Sequence, residues 1–294
     1  MTHCEIESFL AICRYKTVSR AAEALYITQS SLSIRLKTLE KELGGSLFFR
    51  RKGSREMTLT EAGRRFYDLA VQYETIIREM ELVCRQMPAC LRVSSINSLD
   101  TFLLPEVYER FLQKYPEIRL EIQNLEGPAA GLSIRNGTTD LAFTSGKNRE
   151  DGIRQTLVFV EPMVLISTDG GLHEPVSPEQ LPLRNEVYIE WSRQFAHWHQ
   201  QLFGSEHPQL RISIMPHLQQ FLDREHFWAF VPVSVATGIE KVCPVRRLST
   251  TFTLPVREIS LLSAAEKTGN PAMTAFYQCL RETLTAYPEI EGKL

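Results

Sequence analysis

The sequence predicts two unlike domains joined by one long helix: an all-α N-terminal head and a C-terminal α/β body. Three observations carry this. The chain is 294 residues long, which exceeds one ordinary domain and suits two or three. Its charge is segregated: residues 1–65 hold twelve basic side chains against seven acidic ones, a net of +5, so with the whole chain at −2 the remainder carries −7. From Leu91 onward, apolar residues at helical spacing give way to strands alternating with helices. A basic head on an acidic body makes an asymmetric field, and only the head is drawn to phosphates.

Composition narrows the class. Hydrophobic residues make up 43% and charged residues 23%, the proportions of a soluble globular protein. No apolar stretch approaches the roughly 18 residues of a membrane span, and Met1-Thr2-His3-Cys4-Glu5 lacks the start of a secretory signal, so a cytoplasmic protein without a membrane partner is expected. The six cysteines (Cys4, Cys13, Cys84, Cys90, Cys243, Cys279) form no Cys-x-x-Cys pair, and most lie in apolar patterns that read as core filler.

The head reads as three short helices. Ile6, Phe9, Leu10 and Cys13 recur at helical spacing over roughly residues 4–14. After a turn near Lys16-Thr17, the run from Ser19 to Leu25 makes a second helix, whose Ala21-Ala22 pair permits close approach of a neighbour. Thr28 is the N-cap of a third helix, Gln29 to Leu43, which Gly44-Gly45 ends. Leu32, Leu36, Leu39 and Leu43 give this helix an apolar face, while Gln29, Ser30, Ser33, Arg35 and Lys37 are available to face outward. Short hydroxyls and an amide near a helix N-terminus suit base edges in a major groove, so the pair reads as helix-turn-helix. A plain three-helix bundle with a solvated face explains the same pattern. The next segment tips the balance: Leu47-Phe48-Phe49, a basic tip Arg50-Arg51-Lys52-Gly53-Ser54-Arg55, and the return Met57-Thr58-Leu59 describe a β-ribbon wing with cations where a DNA backbone would pass.

At this point the chain resembles a known family. Phe9-Leu10, Ala21-Ala22, Leu25, Thr28-Gln29-Ser30, Leu32-Ser33, Leu39-Glu40, Leu43-Gly44, Leu47-Phe48, Arg50, Leu59-Thr60 and Ala62-Gly63 look like the N-terminal signature of LysR-type transcription regulators. The resemblance implies that Gln29, Ser30, Ser31 and Ser33 lie at the groove and that Arg50 and Arg51 contact the backbone. With the cap Thr28 and the outward cations Arg35 and Lys37, these make the expected DNA-binding set. Ile34 stands where the family often has Arg, Lys or Gln, which gives Arg35 more of the expected base reading.

From Thr60, a candidate N-cap, a helix runs without glycine after Gly63 to Pro88. Phe66, Leu69, Ala70, Tyr73, Ile76, Ile77, Met80, Val83, Cys84 and Met87 form a stripe wide enough for helix-on-helix packing. A core helix and a dimer seam both explain it; the resemblance favours the seam, with two such helices antiparallel. A homodimer or homotetramer would then read an inverted repeat in double-stranded promoter DNA.

The body opens with a strand over Leu91–Ile96. Asn97-Ser98 then lead into one helix that takes in Leu103-Leu104-Pro105 and ends near Lys114-Tyr115-Pro116. Ile118, Leu120 and Ile122 alternate with polar residues as a second strand, Gly127-Pro128 break the chain before a helix, and a third strand comes at Asp140–Thr144. This βαβαβ run begins a parallel sheet with helices on both faces. Leu103-Leu104-Pro105, Phe111, Tyr115-Pro116 and Gly137 through Asp140-Leu141-Ala142 resemble the effector domain of the same regulators, which implies a periplasmic-binding-protein-like fold of two lobes around a ligand cleft. The expected domains are 1–60 (winged helix-turn-helix), 61–88 (linker and dimerisation helix) and 89–294 (effector-binding domain). The first lobe takes about 91–161 and 264–294, with the C-terminal helix from Met273 to Ala286 packed on it; the second takes about 162–263.

Ligands in such sheets bind at the carboxyl ends of strands. That rule selects Ser95, Asn97, Ser98, Gly127, Thr144 and Ser145 from the first lobe. From the second it selects Glu190, Trp191 and Ser192, together with the Val231-Pro232 region. A small polar or anionic effector would satisfy them, although each alone also reads as an ordinary capping group. In Trp191–His199, Arg193 or a histidine could meet a carboxylate at an aromatic wall, and His197-x-His199 could ligate a metal; residues two apart do not share a helix face, so lobe core is the plainer reading. No metal or cofactor is expected. No catalytic spacing appears, so an enzyme is not expected, and a solute-binding protein would need a signal peptide and no basic head. The remaining alternative is thiol sensing through Cys84, Cys90 or Cys243. The resemblance adds RNA polymerase as a partner.

Overall fold

The computed structural model describes residues 1–49, 56–83, 89–148, 150–224, 226–265 and 270–293. Backbone contacts divide the chain into two units, Met1–Met87 with Asn136–Thr138, and Pro88–Arg135 with Thr139–Leu294. Each is described by itself.

The first unit is built on three helices, α1 (His3–Tyr15), α2 (Val18–Ala24) and α3 (Gln29–Leu43). Each begins at a threonine. Thr2 and Glu5 form a reciprocal capping box on α1, Thr17 accepts from the Arg20 amide, and Thr28 Oγ1 accepts from the Ser31 amide at 3.1 Å. Gly44 closes α3 in the left-handed region, φ 69°. Phe9, Ile12, Leu32 and Leu39 are fully buried where the helices meet. Leu43, expected on that apolar face, is exposed instead, because the last turn of α3 runs past the end of the core.

The chain then pairs β1 (Phe48–Phe49) antiparallel with β2 (Thr58–Leu59), Phe48 opposite Leu59. These strands are the base of the expected wing; its tip, with Arg50, Arg51 and Arg55, lies outside the described residues. Next comes α4 (Glu61–Val83), capped by Thr60, whose Oγ1 accepts from the Gly63 amide at 2.9 Å. Gly63 is required there by a close approach: a Cβ would collide with the Leu47 carbonyl oxygen. The expected end of the helix, Cys84 to Pro88, lies outside the described residues.

The second unit has two lobes. In the first, β3 (Cys90–Ser95) is followed by α5 (Asn97–Phe102), α6 (Leu104–Lys114), β4 (Arg119–Asn124), α7 (Pro128–Arg135) and β5 (Leu141–Thr144). β3 lies between β4 and β5, parallel to both. The single helix expected after β3 is two, broken at Leu103 (φ −116°, ψ −50°): Pro105 lacks the amide that would continue the ladder and favours the first turn of a new helix.

β6 (Ile153–Ser167) runs through both lobes as one strand of 15 residues. The second lobe adds β7 (Val187–Tyr188), α8 (Arg193–Phe203), β8 (Leu210–Arg211), α9 (Met215–Leu222), β9 (Trp228–Pro232), α10 (Val233–Glu240) and β10 (Arg246–Leu248). The chain returns on β11 (Val256–Ala264), and α11 (Pro271–Leu284) and β12 (Glu291–Gly292) finish the first lobe. Up to Pro162, β6 pairs antiparallel with β11; from Met163 its partners are β9 and β10. Pro162, Pro232 and Pro255 gather at this change of partner, where a missing amide costs no ladder bond. The first-lobe core centres on Phe111, Phe143, Phe159 and Phe276, and the second-lobe core on Trp228, Phe230, Leu218 and Leu222. Among the described residues no helix is long and apolar enough to cross a membrane.

Candidate functional site

Two surfaces gather the residues singled out from the sequence. On the first unit, Thr28, Gln29, Ser30 and Lys37 are exposed, and Ser31, Ser33 and Arg35 are half-buried. Thr28 Oγ1 lies 2.9 Å from both the Ser30 and Ser31 hydroxyls, so the first turn of α3 presents a connected cluster of small donors and acceptors. The turn before it is tight: Tyr26 adopts a left-handed conformation, φ 55°, and stands 96% exposed. Sequence reading missed this tyrosine; an aromatic residue in a two-helix turn is ordinarily assigned to the core.

The stripe on α4 splits in two. Phe66, Ala70 and Tyr73 pack on the head core, Phe66 edge-on to Phe9 with ring centroids 4.9 Å apart. Leu69, Ile76 and Met80, one face round, are exposed. The core reading and the seam reading each account for part of the stripe.

On the second unit, a cleft of about 290 Å³ lies between the two lobes. The first lobe contributes Ile96, Asn97 and Ser98 after β3, Glu126 after β4 and Ser145 after β5. Ile189, Glu190 and Trp191 after β7, Arg211 of β8, Ile212, Ser213 and Met215 face them from the second lobe. Arg257 of β11 completes the lining. Five of the nine expected effector residues therefore meet here. Ser95 is buried with its hydroxyl turned to the Ile96 carbonyl, Thr144 Oγ1 accepts from the Gly146 amide, Ser192 caps α8 through the Phe195 amide, and Gly127 is an exposed turn residue. Those four stand outside the lining.

Arg257 is another residue that sequence reading missed. It is 4% exposed and reaches Glu161, 0% exposed, through Nε (2.9 Å) and Nη2 (2.6 Å) to the same carboxylate oxygen. Its Nη1 donates to Ser98 Oγ at 2.8 Å. The other Glu161 oxygen accepts from the Ser234 amide. The guanidinium carbon lies 5.3 Å from the centroid of the Trp191 ring, whose Nε1 donates to the Phe230 carbonyl. These bonds use three of the five guanidinium N–H groups and leave the Ser98 hydroxyl free to donate its own hydrogen. At the rim Arg211 pairs with Glu190, and Glu126 accepts from the Asn97 amide. Asn97 Oδ1 accepts from the Met215 amide at 3.0 Å, so the N-terminus of α9 is capped from the opposite lobe. Behind the cleft, the Phe102 ring of α5 packs where a Cβ on Gly238 would stand.

In the Trp191–His199 segment, Trp191, Phe195 and His199 are buried in the lobe and Trp198 packs against its core. Phe195 and Trp198 pack around Phe230, and His199 Nε2 meets the buried Glu186 carboxylate at 2.9 Å. Burial pushes the Glu186 carboxyl up, and its bond to His199 opposes that. His197 and Arg193 are exposed, and neither lines the cleft; no cluster of three metal-ligating side chains occurs among the described residues. Burial disfavours the thiolate form of the described thiols inside the fold. Burial pushes Cys13 up to about 12 and raises Cys90, Cys243 and Cys279, with Asp223 adding to the effect at Cys243. Cys84 lies outside the described residues.

Residues 5–64 match the bacterial regulatory helix-turn-helix protein family of the lysR type, and residues 88–285 match the LysR substrate binding domain. Among curated relatives, the HTH-type transcriptional regulator YofA of Bacillus velezensis is 27% identical over 175 residues, 58% of this chain and 60% of that protein. BenM of Acinetobacter baylyi is 28% identical over 160 residues, 53% of this chain and 52% of that protein. The chain thus spans between half and three-fifths of the length of these relatives. Likeness of fold is broader. Full-length CbnR complexed with its target DNA superposes with a TM-score of 0.69 at 18% identity, covering 96% of this chain and 100% of that one. For a full-length OxyR variant from Pseudomonas aeruginosa the TM-score is 0.64 at 19% identity, covering 96% and 95%. With one family model on the head and another over more than half of the sequence, the chain belongs to the LysR family of bacterial helix-turn-helix regulatory proteins.

Proposed function

We propose that the chain is a sequence-specific regulator of transcription that binds promoter DNA through α3 and the wing and is controlled by a small molecule in the cleft of its body. The observation that carries the first half is the exposed, threonine-capped start of α3, where Gln29, Ser30, Ser31 and Ser33 offer hydroxyl and amide groups beside a helix N-terminus. Lys37, with Arg50 and Arg51 from the wing tip, supplies phosphate contacts, and Arg35 flanks the base-reading face. The exposed Leu69, Ile76 and Met80 of α4 pair with those of a second copy, so the preferred site is an inverted repeat. RNA polymerase is the downstream partner when the regulator activates.

The lining of the cleft supports one class of effector. Ser98, Ser145 and the two uncommitted N–H groups of Arg257 can hold one carboxylate. Among the described residues of the cleft a second anionic group finds no further cation: Glu161 already balances Arg257, Glu190 balances Arg211, and Glu126 adds a negative charge at the rim. Ile96, Ile189, Trp191, Ile212 and Met215 make the remaining wall apolar. The effector is therefore a small monocarboxylate with an apolar body. Its binding shifts the population of lobe arrangements, beginning at the Asn97–Met215 contact, and the grip on DNA changes with it.

Competition binding of the purified chain to duplexes from promoters beside its own gene tests the first half. A preference over random duplex on the order of 10³-fold or more at moderate salt is expected; equal affinity for both refutes it. For the second, a thermal-shift series on the same protein with small apolar monocarboxylates and matching dicarboxylates should move the melting temperature with the former only. A response confined to dicarboxylates refutes the proposed ligand class.

A further inference from the structure

Ile34 is the most exposed apolar side chain of α3, at 63%, and its position on the helix is specific. Ser30, Ile34, Lys37 and Lys41 come at successive spacings of four, three and four, which places them on one stripe. Leu32, Leu36 and Leu39 occupy the opposite side and are buried. Ile34 therefore stands at the centre of the outward face, between a hydroxyl and a cation, while Arg35 lies about 100° further round and is half-buried. A branched apolar side chain amid a polar face gains nothing from water, and no apolar neighbour on that face shelters it among the described residues.

We propose that Ile34 reads a thymine through its C5-methyl group. This contact requires α3 to be the groove-facing helix, as proposed above. In the major groove the base edges present hydrogen-bond donors and acceptors and a single apolar feature, the thymine methyl. A side chain with no polar atom can discriminate only through that feature. In a helix the Ile34 side chain leans toward the N-terminus, the end that carries Ser30 and Gln29, so its methyl contact and their hydrogen bonds fall on neighbouring base pairs. In a symmetric dimer the contact occurs once in each half-site.

The test uses the full chain and one chemical change in DNA. Duplexes selected from a randomised library give the preferred site, and each thymine is then replaced in turn by deoxyuridine, which keeps the pairing edge and removes only the methyl. At one thymine per half-site this should weaken binding about fourfold, the effect of one buried methyl group. Ile34→Ala removes the contact from both half-sites, so it should weaken binding to the thymine duplex by the square of that factor, roughly 16-fold, and leave no further loss on deoxyuridine, and Ile34→Arg should move the preference at that position to guanine. Because Ile34 is exposed, affinity for random duplex serves as the control for folding and should not change with Ile34→Ala. Indifference of the unaltered chain to every deoxyuridine overturns the assignment, as does an undiminished deoxyuridine penalty in Ile34→Ala. If the library yields no preferred duplex at all, the DNA reading of α3 falls, and this assignment with it.

Discussion

Glu161 is removed from water entirely, and a carboxylate so placed is tolerated only because Arg257 and the Ser234 amide surround it. Substituting Arg257 by Met would leave that charge buried without a partner, at a cost of about 3–5 kcal/mol. Urea unfolding of the full chain should show this as a lower midpoint for the body's transition, and Glu161→Gln in the same background should restore part of it. An unchanged midpoint would mean that water or another group already compensates Glu161. Asp100 makes a pH-dependent prediction. Burial raises its carboxyl above the ordinary 3.8, against the opposing bonds from Tyr108 and Asn124. A raised folded-state value means that the contribution of Asp100 is complete below 3.8 and is lost as pH rises through the folded value. The stability of the unaltered chain relative to Asp100→Asn should therefore fall with pH just above 3.8 and level off at neutral pH; a difference that is flat throughout would remove the shift. Neither group was legible in the sequence. Glu161 and Arg257 lie 96 residues apart and Arg257 and Ser98 lie 159 apart, so no spacing rule joins them, whereas Asn97, Ser98 and Trp191 could be found because a strand end places them locally.

Helices were the most legible elements, because their signals are local. The bounds of α3 come from Thr28 and Gly44, two residues whose capping chemistry needs no tertiary information. Replacing Thr28 by Ala should cost the head about 1 kcal/mol, read as a lower melting temperature without loss of helix content, and no change would show that Ser30 and Ser31 cap the helix unaided. The break between α5 and α6 was missed, since Leu103-Leu104 continue the apolar pattern and only the backbone turns at Leu103. The continuity of β6 across both lobes was equally hidden. Pro162 reads as a strand end, yet here it marks a change of partner within one strand. For α4 the sequence left two readings open, and the fold divides the stripe between them. Ile76 sits in the middle of the exposed part, so Ile76→Glu should separate the dimer at micromolar concentration in sedimentation velocity while leaving the head folded. If the dimer persists, its seam lies elsewhere.

At the scale of the molecule, the net charge of −2 conceals +5 on residues 1–65 and −7 on the remainder, and the two act oppositely toward a polyanion. Affinity for DNA should then depend on salt through the head's cations alone: each phosphate contact adds about 0.9 to the slope of log K against log salt. Lys37 is exposed on the outward stripe of α3, and in a symmetric dimer it occurs twice, so Lys37→Ala should reduce the slope by about 2. It should do so on preferred and random duplexes alike, because a phosphate carries no sequence. Arg35 behaves differently if it meets a base edge: Arg35→Ala would then lower affinity for the preferred duplex and spare the random one. Titrating both variants against both duplexes over a range of salt separates the two roles. A slope that Lys37→Ala leaves intact would place Lys37 off the backbone, and the phosphate grip would pass to the cations of the wing.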